Sequence, residues 1–215
     1  AQGSALSYIV QLNVVVMFIV ESRAGGHNHD HYSEVGAFSD STAKSQAPLC
    51  TPDIGSRWAY MDHATYGINK AIYSFKPAVA GTYEVSVTWP ASTNASEQVE
   101  HIVTHAGGST SVLLDQDNVS YPDGANNWNS LGQYSFNAGA TYTVTQTNET
   151  YTDPGEIFRA DAVRWRLISS DCANPPTVAA ITPTIGYDDQ VVQDAIITGT
   201  NFVPGQTTVT LARAG

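Results

Sequence analysis

Hydrophobic and polar residues alternate along several short stretches of this chain. The clearest stretch follows Gly81 and ends at Pro90, whose nitrogen cannot donate to a strand ladder. Its apolar positions are Tyr83, Val85, Val87 and Trp89, and its polar positions are Thr82, Glu84, Ser86 and Thr88. A period of two residues places one set on each face of a strand. The pattern predicts a strand with one face in a core.

Other stretches repeat this pattern. Residues 99–105 and 111–115 flank Ala106–Ser109, a Gly-Gly segment that is typical of a hairpin turn. Near residue 165, apolar Val163, Trp165 and Leu167 alternate with Arg164 and Arg166. Strands separated by Gly and Pro predict an all-β fold, a β-sandwich of jelly-roll (galactose-binding-like) or immunoglobulin-like type. Trp89 and Trp165 follow the apolar alternation and are predicted core residues.

The most apolar stretch is Ala5–Val20. It is shorter than the about 20 residues that span a bilayer, and the β-branched run Val14–Val16 favours a strand. We predict one or two buried strands, with a membrane anchor as the alternative. An apolar strand left open invites pairing, so this segment is expected to pair within the domain or with a neighbouring molecule.

A composition break divides the chain near its end. Ser169–Pro176 contains two consecutive prolines, which stiffen a linker. The predicted organisation is an apolar strand at 1–20, a sandwich at 21–170, a linker at 171–176 and a second β unit at 177–215. About 40 residues are too few for an independent sandwich. The second unit therefore requires either more chain or a neighbouring molecule.

The charge balance excludes some partners. The chain has 9 Lys and Arg against 20 Asp and Glu, a net charge of −11, and only 13% charged residues. An acidic protein repels phosphate backbones and anionic membrane surfaces. We therefore expect no nucleic-acid binding and no membrane insertion. A polar surface built from Thr, Ser and Asn favours a secreted or cell-surface protein.

Two cysteines and three sequons are consistent with that compartment. Cys50 and Cys172 are the candidates for one disulfide, with two unrelated thiols as the alternative. The sequons begin at Asn94, Asn118 and Asn148, which are candidate glycan attachment sites.

An ordered series of motifs resembles the golvesin C-terminal-like domain, which is also described as xanthan-lyase-type and carbohydrate-binding-like. The motifs are Phe18–Arg23, Tyr32–Glu34, Ala80–Val85, the Gly-Gly hairpin, Asp115–Gln116, Trp128–Gly132, Phe136–Gly139 and Ala160–Val163. The resemblance covers residues 17–168. It implies a β-sandwich of secreted bacterial proteins, found beside enzymes or adhesive repeats and without assigned catalytic residues.

The tail is similar to the first half of an IPT/TIG domain, which has an immunoglobulin-like fold. The matching segments are Pro176–Pro183, Gly186, Ile197–Phe202 and Gly205–Val209. An isolated half-sandwich exposes unpaired backbone groups.

Candidate metal ligands occur in two places. His27, His29 and His31 would share one face of a strand and could bind zinc or copper, whereas on a loop they would be solvated. Asp115 and Asp117, with Asp123, resemble a calcium loop. However, Ser120 and Asn126 stand where the EF-hand pattern needs Gly and Glu. We predict no cofactor, with a structural calcium ion as the alternative.

The sequence does not favour catalysis. Ser109 lies in a hairpin and lacks the Gly-x-Ser-x-Gly context of a nucleophile elbow. Aromatic residues are better candidates, because their rings stack on the apolar faces of sugars while amides bind hydroxyls. Tyr121 and Trp128 lie in a loop with Asn126 and Asn127, the predicted sugar-binding group. The alternative places Trp128 in the core. Trp58, Tyr134 and Tyr151 are further aromatic candidates.

Two functions compete. The first is a non-catalytic extracellular structural or adhesive protein, a subunit or repeat of a bacterial surface fibre that shares strands between copies of itself. The alternative is a carbohydrate-binding module that targets an attached enzyme to polysaccharide.

Overall fold

The computed structural model describes residues 11–47, 54–120, 123–170, 177–182, 196–200 and 207–212. It divides into two compact units, one of residues Phe18–Asp171 and one of Ala1–Met17 with Cys172–Gly215. The division falls within the first strand. The predicted linker at 171–176 lies outside the described residues, as do Cys50, Cys172 and Tyr121.

The described chain is almost entirely β-structure. The strands are β1 (Gln11–Glu21), β2 (Tyr32–Val35), β3 (Ser39–Ser41), β4 (Ser56–Tyr60), β5 (Lys70–Phe75), β6 (Gly81–Thr88), β7 (Val99–His105), β8 (Gly108–Leu114), β9 (Asn129–Phe136), β10 (Tyr142–Thr147), β11 (Ile157–Ala160), β12 (Ala162–Ser170), β13 (Thr177–Thr182), β14 (Ile196–Thr200) and β15 (Thr207–Ala212). A 3-10 turn (His29–His31) and helix α1 (His63–Tyr66) complete the elements. Among the described residues, no helix is long and apolar enough to cross a bilayer.

Three sheets build the unit Phe18–Asp171. One contains β1, β12, β6 and β9 in that order, and a second contains β2, β5, β10, β7 and β8. A three-stranded sheet of β11, β4 and β3 adjoins them. Phe75 of β5 stacks on Trp165 of β12 at 5.0 Å and meets the rings of Tyr83 and Phe136. Because the first two sheets contribute facing side chains to one core, the fold is the predicted β-sandwich.

The strand predictions based on alternation are confirmed. Tyr83, Val85 and Val87 on β6 are buried, and so are Trp89 and Trp165. The predicted hairpin is β7 and β8, which pair with His105 opposite Gly108. Two short strands, β2 and β3, occur in a stretch where no alternating pattern predicts a strand.

The second unit contains two described pairings. Residues Gln11–Val16 of β1 pair antiparallel with Thr207–Ala212 of β15. The predicted apolar strand therefore finds a partner in the same chain. β13 pairs antiparallel with β14, where Ile196 is 61% exposed.

Candidate functional site

A group of three aromatic side chains lies on the outer face of β4 and on α1. Strand alternation buries Ala59 and turns Trp58 and Tyr60 to the opposite face, where both are half-buried. Tyr66 stacks on Tyr60 with ring centroids 4.0 Å apart and planes inclined by 16°. Trp58 meets Tyr60 edge-on at 5.2 Å. We call Trp58, Tyr60 and Tyr66 the aromatic row. Tyr66 is 47% exposed, so a ligand can reach the row.

The short helix that carries Tyr66 is held at both ends. Asp62 caps its start by accepting hydrogen bonds from the backbone nitrogens of Ala64 and Thr65 at 3.1 and 3.2 Å. A hydrogen bond from the side chain of Thr65 is the main cause that lowers the pKa of Asp62, and the two backbone bonds lower it further. At the end of the helix, Gly67 adopts a φ of 80°, which favours glycine.

Asn148 holds both ends of the segment that connects Tyr60 to Tyr66. Its Nδ2 donates to the backbone oxygens of Tyr60 and Gly67 at 3.0 and 3.1 Å, and its Oδ1 accepts from the Asn69 nitrogen at 2.7 Å. The side chain is fully buried. Buried amides of this kind are costly to remove, because their partners lose hydrogen bonds. Asn148 therefore positions Tyr60 relative to Tyr66.

This placement disfavours the predicted glycan at Asn148. A glycan would attach to Nδ2, which is buried and bonded to two carbonyl oxygens in the folded chain. Asn94 is exposed and Asn118 is half-exposed, so glycan attachment there stays a prediction.

Arg159 supplies polar groups beside the row. It lies opposite Trp58 in the β11–β4 pair, so both side chains share one face. Its Nη1 donates to Ser41 Oγ at 2.9 Å, and its Nη2 donates to Ser92 Oγ at 3.2 Å. Burial lowers the pKa of Arg159, and nearby Asp161 opposes that shift. The face thus combines aromatic rings with a guanidinium and hydroxyls.

A cleft lies on the other side of β4. Its volume is about 340 Å³, and its polar lining includes Arg23, Tyr32, Glu34, Asp40 and Arg57. We call it the charged cleft. Arg57 holds Glu34 through two bonds, Nε to Oε1 at 2.6 Å and Nη2 to Oε2 at 2.8 Å. Its Nη1 donates to Asp40, which also pairs with Arg23 Nη1 at 3.1 Å.

The protonation states in this cleft follow from these contacts. The hydrogen bond to Glu34 raises the pKa of Arg57 above its usual range, so Arg57 stays cationic. Burial, reinforced by Tyr73 and Glu34, raises the pKa of Tyr32, whose hydroxyl donates to Glu34 Oε1 at 2.8 Å. The cleft therefore combines a neutral phenol with two guanidiniums and two carboxylates.

The predicted sugar-binding loop is more constrained than the sequence suggests. Asn126 has a φ of 66°, and its Oδ1 accepts from the Gln46 nitrogen at 3.1 Å. Asn127 Nδ2 donates to the Ala125 oxygen at 3.1 Å. Trp128 is half-buried, and the Arg164 guanidinium lies 4.5 Å from its ring centroid. Sugar binding by this loop stays a prediction, because its Tyr121 lies outside the described residues.

The histidines do not form the predicted strand face. His27 contacts Glu21 Oε2 through Nδ1 at 2.9 Å, and His29 Nδ1 lies 3.3 Å from the Glu21 backbone oxygen. His31 packs edge-on against Phe18. His29 and His31 lie in the 3-10 turn instead of a strand, so of the two arrangements considered for the histidines the strand face does not form.

The aspartates of the second metal candidate make a local turn. Asp115 Oδ1 accepts from the backbone nitrogens of Asp117 and Asn118 at 2.9 and 3.0 Å, and Asp117 is exposed. Within the described ranges, no group of three or more His, Cys, Asp or Glu is placed to hold a metal ion. A structural calcium ion stays an untested alternative.

Sequence reasoning missed most of these two sites. It included Trp58 among the aromatic candidates but did not join it to Tyr60 and Tyr66. The available signal was Trp58-Ala-Tyr60 alternation followed by Asp62, a helix-capping residue. For the charged cleft, the four charged residues lie in four segments, and no local spacing joins them. They are Arg23 after β1, Glu34 in β2, Asp40 in β3 and Arg57 in β4.

This chain resembles parts of several known proteins. The chain is 32% identical over 136 residues to a xanthan lyase of Bacillus sp. (strain GL1), covering 63% of this chain and 14% of the lyase. A solved Paenibacillus xanthan lyase has a similar fold, with a TM-score of 0.57 and 23% identity over 72% of this chain and 13% of the lyase. A Podospora anserina GH26-CBM35 β-(1,4)-mannanase gives a TM-score of 0.38 and 16% identity over 68% of this chain and 29% of that protein.

The family model identifies the domain. Residues 27–167 match the model of the Golvesin C-terminal domain. This range includes the aromatic row and the sandwich core, and most of the charged cleft. The chain therefore belongs to the Golvesin C-terminal domain family.

Proposed function

We propose that this domain is a non-catalytic carbohydrate-binding module that holds an attached protein on polysaccharide outside the cell. The observation that carries the proposal is the aromatic row, which presents Tyr66 at 47% exposure and is bordered by Arg159. Pyranose rings have apolar faces that pack on aromatic rings, while guanidinium and hydroxyl groups bind their oxygens. The row has both chemistries on one face.

The size of the match supports an accessory role. The chain spans only 14% of the lyase that it resembles, so it corresponds to one part of a larger polysaccharide-acting protein. An accessory module raises the local concentration of its attached enzyme on the substrate. Such a module works outside the cell, where a Cys50–Cys172 disulfide and glycans at Asn94 and Asn118 would be compatible with the compartment.

Substitution of Tyr66 tests the proposal. Tyr66→Ala removes the outermost ring, and Tyr66→Phe keeps the stacking surface. We expect Tyr66→Ala to weaken polysaccharide binding about fivefold to tenfold, because a lost ring contact costs about 1 kcal/mol or more. Tyr66→Phe should bind like the parent protein. Affinity electrophoresis in gels that contain xanthan, mannan or soluble cellulose derivatives measures the effect.

The control is an exposed apolar residue on a different strand. Leu113 on β8 is 44% exposed, close to the exposure of Tyr66, so Leu113→Ala removes a similar apolar surface. Leu113→Ala should leave the migration unchanged. Equal retardation of Tyr66→Ala and the parent protein in every gel would contradict the proposal.

Self-assembly is the second candidate. The tail resembles half of an IPT/TIG domain, and its described β13–β14 pair exposes Ile196 by 61%. A two-stranded hairpin is marginal in isolation, which favours completion by further strands. The apolar strand β1 gives less support to self-assembly, because it already pairs with β15 within the chain. A fibre subunit would bury the β13–β14 surface against a copy of itself.

A further inference from the structure

We propose that the charged cleft is a second ligand site, which binds a small neutral polyol such as one sugar unit. This inference does not rest on the aromatic row, because the two sites use opposite faces of β4. Arg57 and Trp58 are consecutive residues of that strand, so their side chains point to opposite sides. A ligand in one site therefore does not contact the other.

The cleft has a suitable size. Its volume of about 340 Å³ lies at the small end of the range of ligand sites. Tyr32 and Ser33 also belong to the lining, beside the charged residues. A lining of this composition offers many donors and acceptors within the span of one small molecule. This close spacing of donors and acceptors matches a ligand that carries hydroxyl groups on neighbouring carbons.

The charges of the cleft favour a neutral ligand. Two guanidiniums, Arg23 and Arg57, alternate with two carboxylates, Glu34 and Asp40. An anion would be attracted by the two arginines but repelled by the two carboxylates. A cation would be attracted by the carboxylates but repelled by the arginines. A hydroxyl both donates and accepts, so adjacent hydroxyls can bond to a carboxylate and a guanidinium together. The balanced lining thus selects polyols over ions.

The cleft also has unused hydrogen-bonding atoms. Within the described part of the chain, the bonds of Asp40 use Oδ1, and those of Arg23 use Nη1. Asp40 Oδ2 and Arg23 Nη2 are therefore available to a ligand at the rim. Asp40 is 65% exposed at its side chain, whereas Arg57 and Glu34 are 19% and 21% exposed. Arg57 and Glu34 hold each other through two hydrogen bonds inside the cleft. Asp40 and Arg23 at the rim are the residues that can adjust to a ligand.

A set of matched sugars tests this inference by nuclear magnetic resonance. The probes are glucose, mannose and galactose as neutral hexoses, with glucuronate and glucosamine as charged counterparts of glucose. The Arg57 Nε–H signal reports on the charged cleft, and the Trp58 indole N–H signal reports on the aromatic row. We expect at least one neutral hexose to shift the Arg57 signal in a saturable way. Neither charged sugar should bind more tightly than glucose.

Two variants assign the binding to the cleft. Asp40→Asn removes one carboxylate at the exposed rim, and Arg23→Gln removes its partner. Each should weaken hexose binding about tenfold, the usual effect of losing a hydrogen bond to a charged group. Asp117→Asn is the control for Asp40→Asn, because Asp117 is an exposed carboxylate of another loop and its loss changes the net charge by the same amount and sign.

Three outcomes would overturn the inference: no neutral hexose shifts the Arg57 signal, glucuronate or glucosamine binds more tightly than glucose, or both rim variants bind like Asp117→Asn. An unchanged Trp58 signal in each variant confirms that the fold is intact. Failure here leaves polysaccharide binding by Tyr66 as a separate result, because the gel assay and the Trp58 signal report on the row.

Discussion

Buried amide side chains complete the hydrogen bonding of β11 at the level of single residues. Gln116 Oε1 accepts from the Arg159 nitrogen at 2.7 Å, and its Nε2 donates to the Arg159 oxygen at 3.0 Å. Gln146 Nε2 donates to the same oxygen at 3.1 Å. Buried backbone groups need such partners. These two glutamines fix the backbone of Arg159, and thereby the position of its side chain beside Trp58.

Gln146 also determines which ring nitrogen of His101 carries the proton. Its Nε2 lies 2.9 Å from His101 Nε2, which must accept because Gln146 Nε2 is a donor held toward the Arg159 oxygen. His101 Nδ1 therefore carries the proton and donates to the Val99 oxygen at 3.0 Å. The neutral ring fits this site. Burial is the main cause that lowers the pKa of His101 to about 4, and neighbouring Glu100 partly opposes it.

We expect acid to destabilise the fold through His101. The pKa of His101 is about 4 in the folded chain and 6.5 for an ordinary histidine, so between these values the unfolded chain binds the proton and the folded chain does not. The free energy of unfolding therefore falls as the pH decreases from 6.5 to 4. The loss at pH 4 is roughly 3 kcal/mol from this one residue. Urea unfolding at pH values from 4 to 8 measures it.

A substitution separates His101 from the other titrating groups. His101→Gln keeps an acceptor for Gln146 but cannot be protonated, so its stability should depend less on pH between 6.5 and 4. His105→Gln is the control, because His105 is half-buried and stacks on Tyr134 at the surface. Equal pH slopes in the parent protein and His101→Gln would exclude this role.

Among the elements, β1 changes most between the sequence-based expectation and the structure. Its apolar run suggests a strand in need of a partner, and β15 supplies one along Gln11–Val16. This partner lies about 200 residues away along the chain, a separation that no local pattern reveals. An apolar strand that loses its partner becomes an open edge, which invites pairing with another molecule.

Proline in β15 should open this edge. Thr208 lies opposite Val15, and Thr208→Pro places a residue without a backbone N–H in the interior of the strand, where proline is disfavoured. We expect the amides of Gln11–Val16 to exchange at least about tenfold faster with solvent, since local opening becomes easier. Thr208→Val keeps the nitrogen and the β-branched shape, so it is the matched control. Hydrogen exchange with mass spectrometry measures the difference.

The same variants address self-association. If the free edge of β1 recruits another chain, Thr208→Pro should sediment as larger species at high concentration, while Thr208→Val stays like the parent protein. Unchanged exchange at Gln11–Val16 in Thr208→Pro would show that β15 is not the partner of this segment in solution.

Strands with strict alternation are the part of the fold that the sequence predicts well. In β6 and β12 the two-residue period places Val85 and Trp165 in the core, and each period is readable within one segment. β2 and β3 were missed because they are short, and polar residues dominate them. The aromatic row and the charged cleft were missed for another reason. Each depends on distant residues, such as Asn148 beside Tyr60, that only the folded chain brings together.

For the whole molecule, the two candidate functions depend on different parts of the chain. The unit Phe18–Asp171 contains the aromatic row, the charged cleft and its own aromatic core. The exposed Ile196 and the segment for which an IPT/TIG domain is predicted belong to the other unit. Carbohydrate binding should therefore follow the first unit, and self-assembly should require the second.

We expect a fragment of residues 18–171 to fold and to bind polysaccharide without the rest of the chain. A unit of this size buries enough apolar surface for independent stability. All four tryptophans of the chain lie within it, so tryptophan fluorescence in urea should show one cooperative transition. In affinity gels the fragment should migrate like the full chain, and Tyr66→Ala should reduce its retardation as it does in the full chain.

Sedimentation of the fragment and of the full chain then decides between the two functions. If the protein is a binding module, both remain monomeric from micromolar to millimolar concentration and both bind polysaccharide. If it is a fibre subunit, the full chain forms larger species or filaments. The fragment does not, because it lacks β13 and β14, the strands proposed to pack against another copy. A fragment that unfolds without a cooperative transition would contradict the independence of the sandwich. A folded fragment without affinity for any polysaccharide would contradict the assignment of binding to the aromatic row.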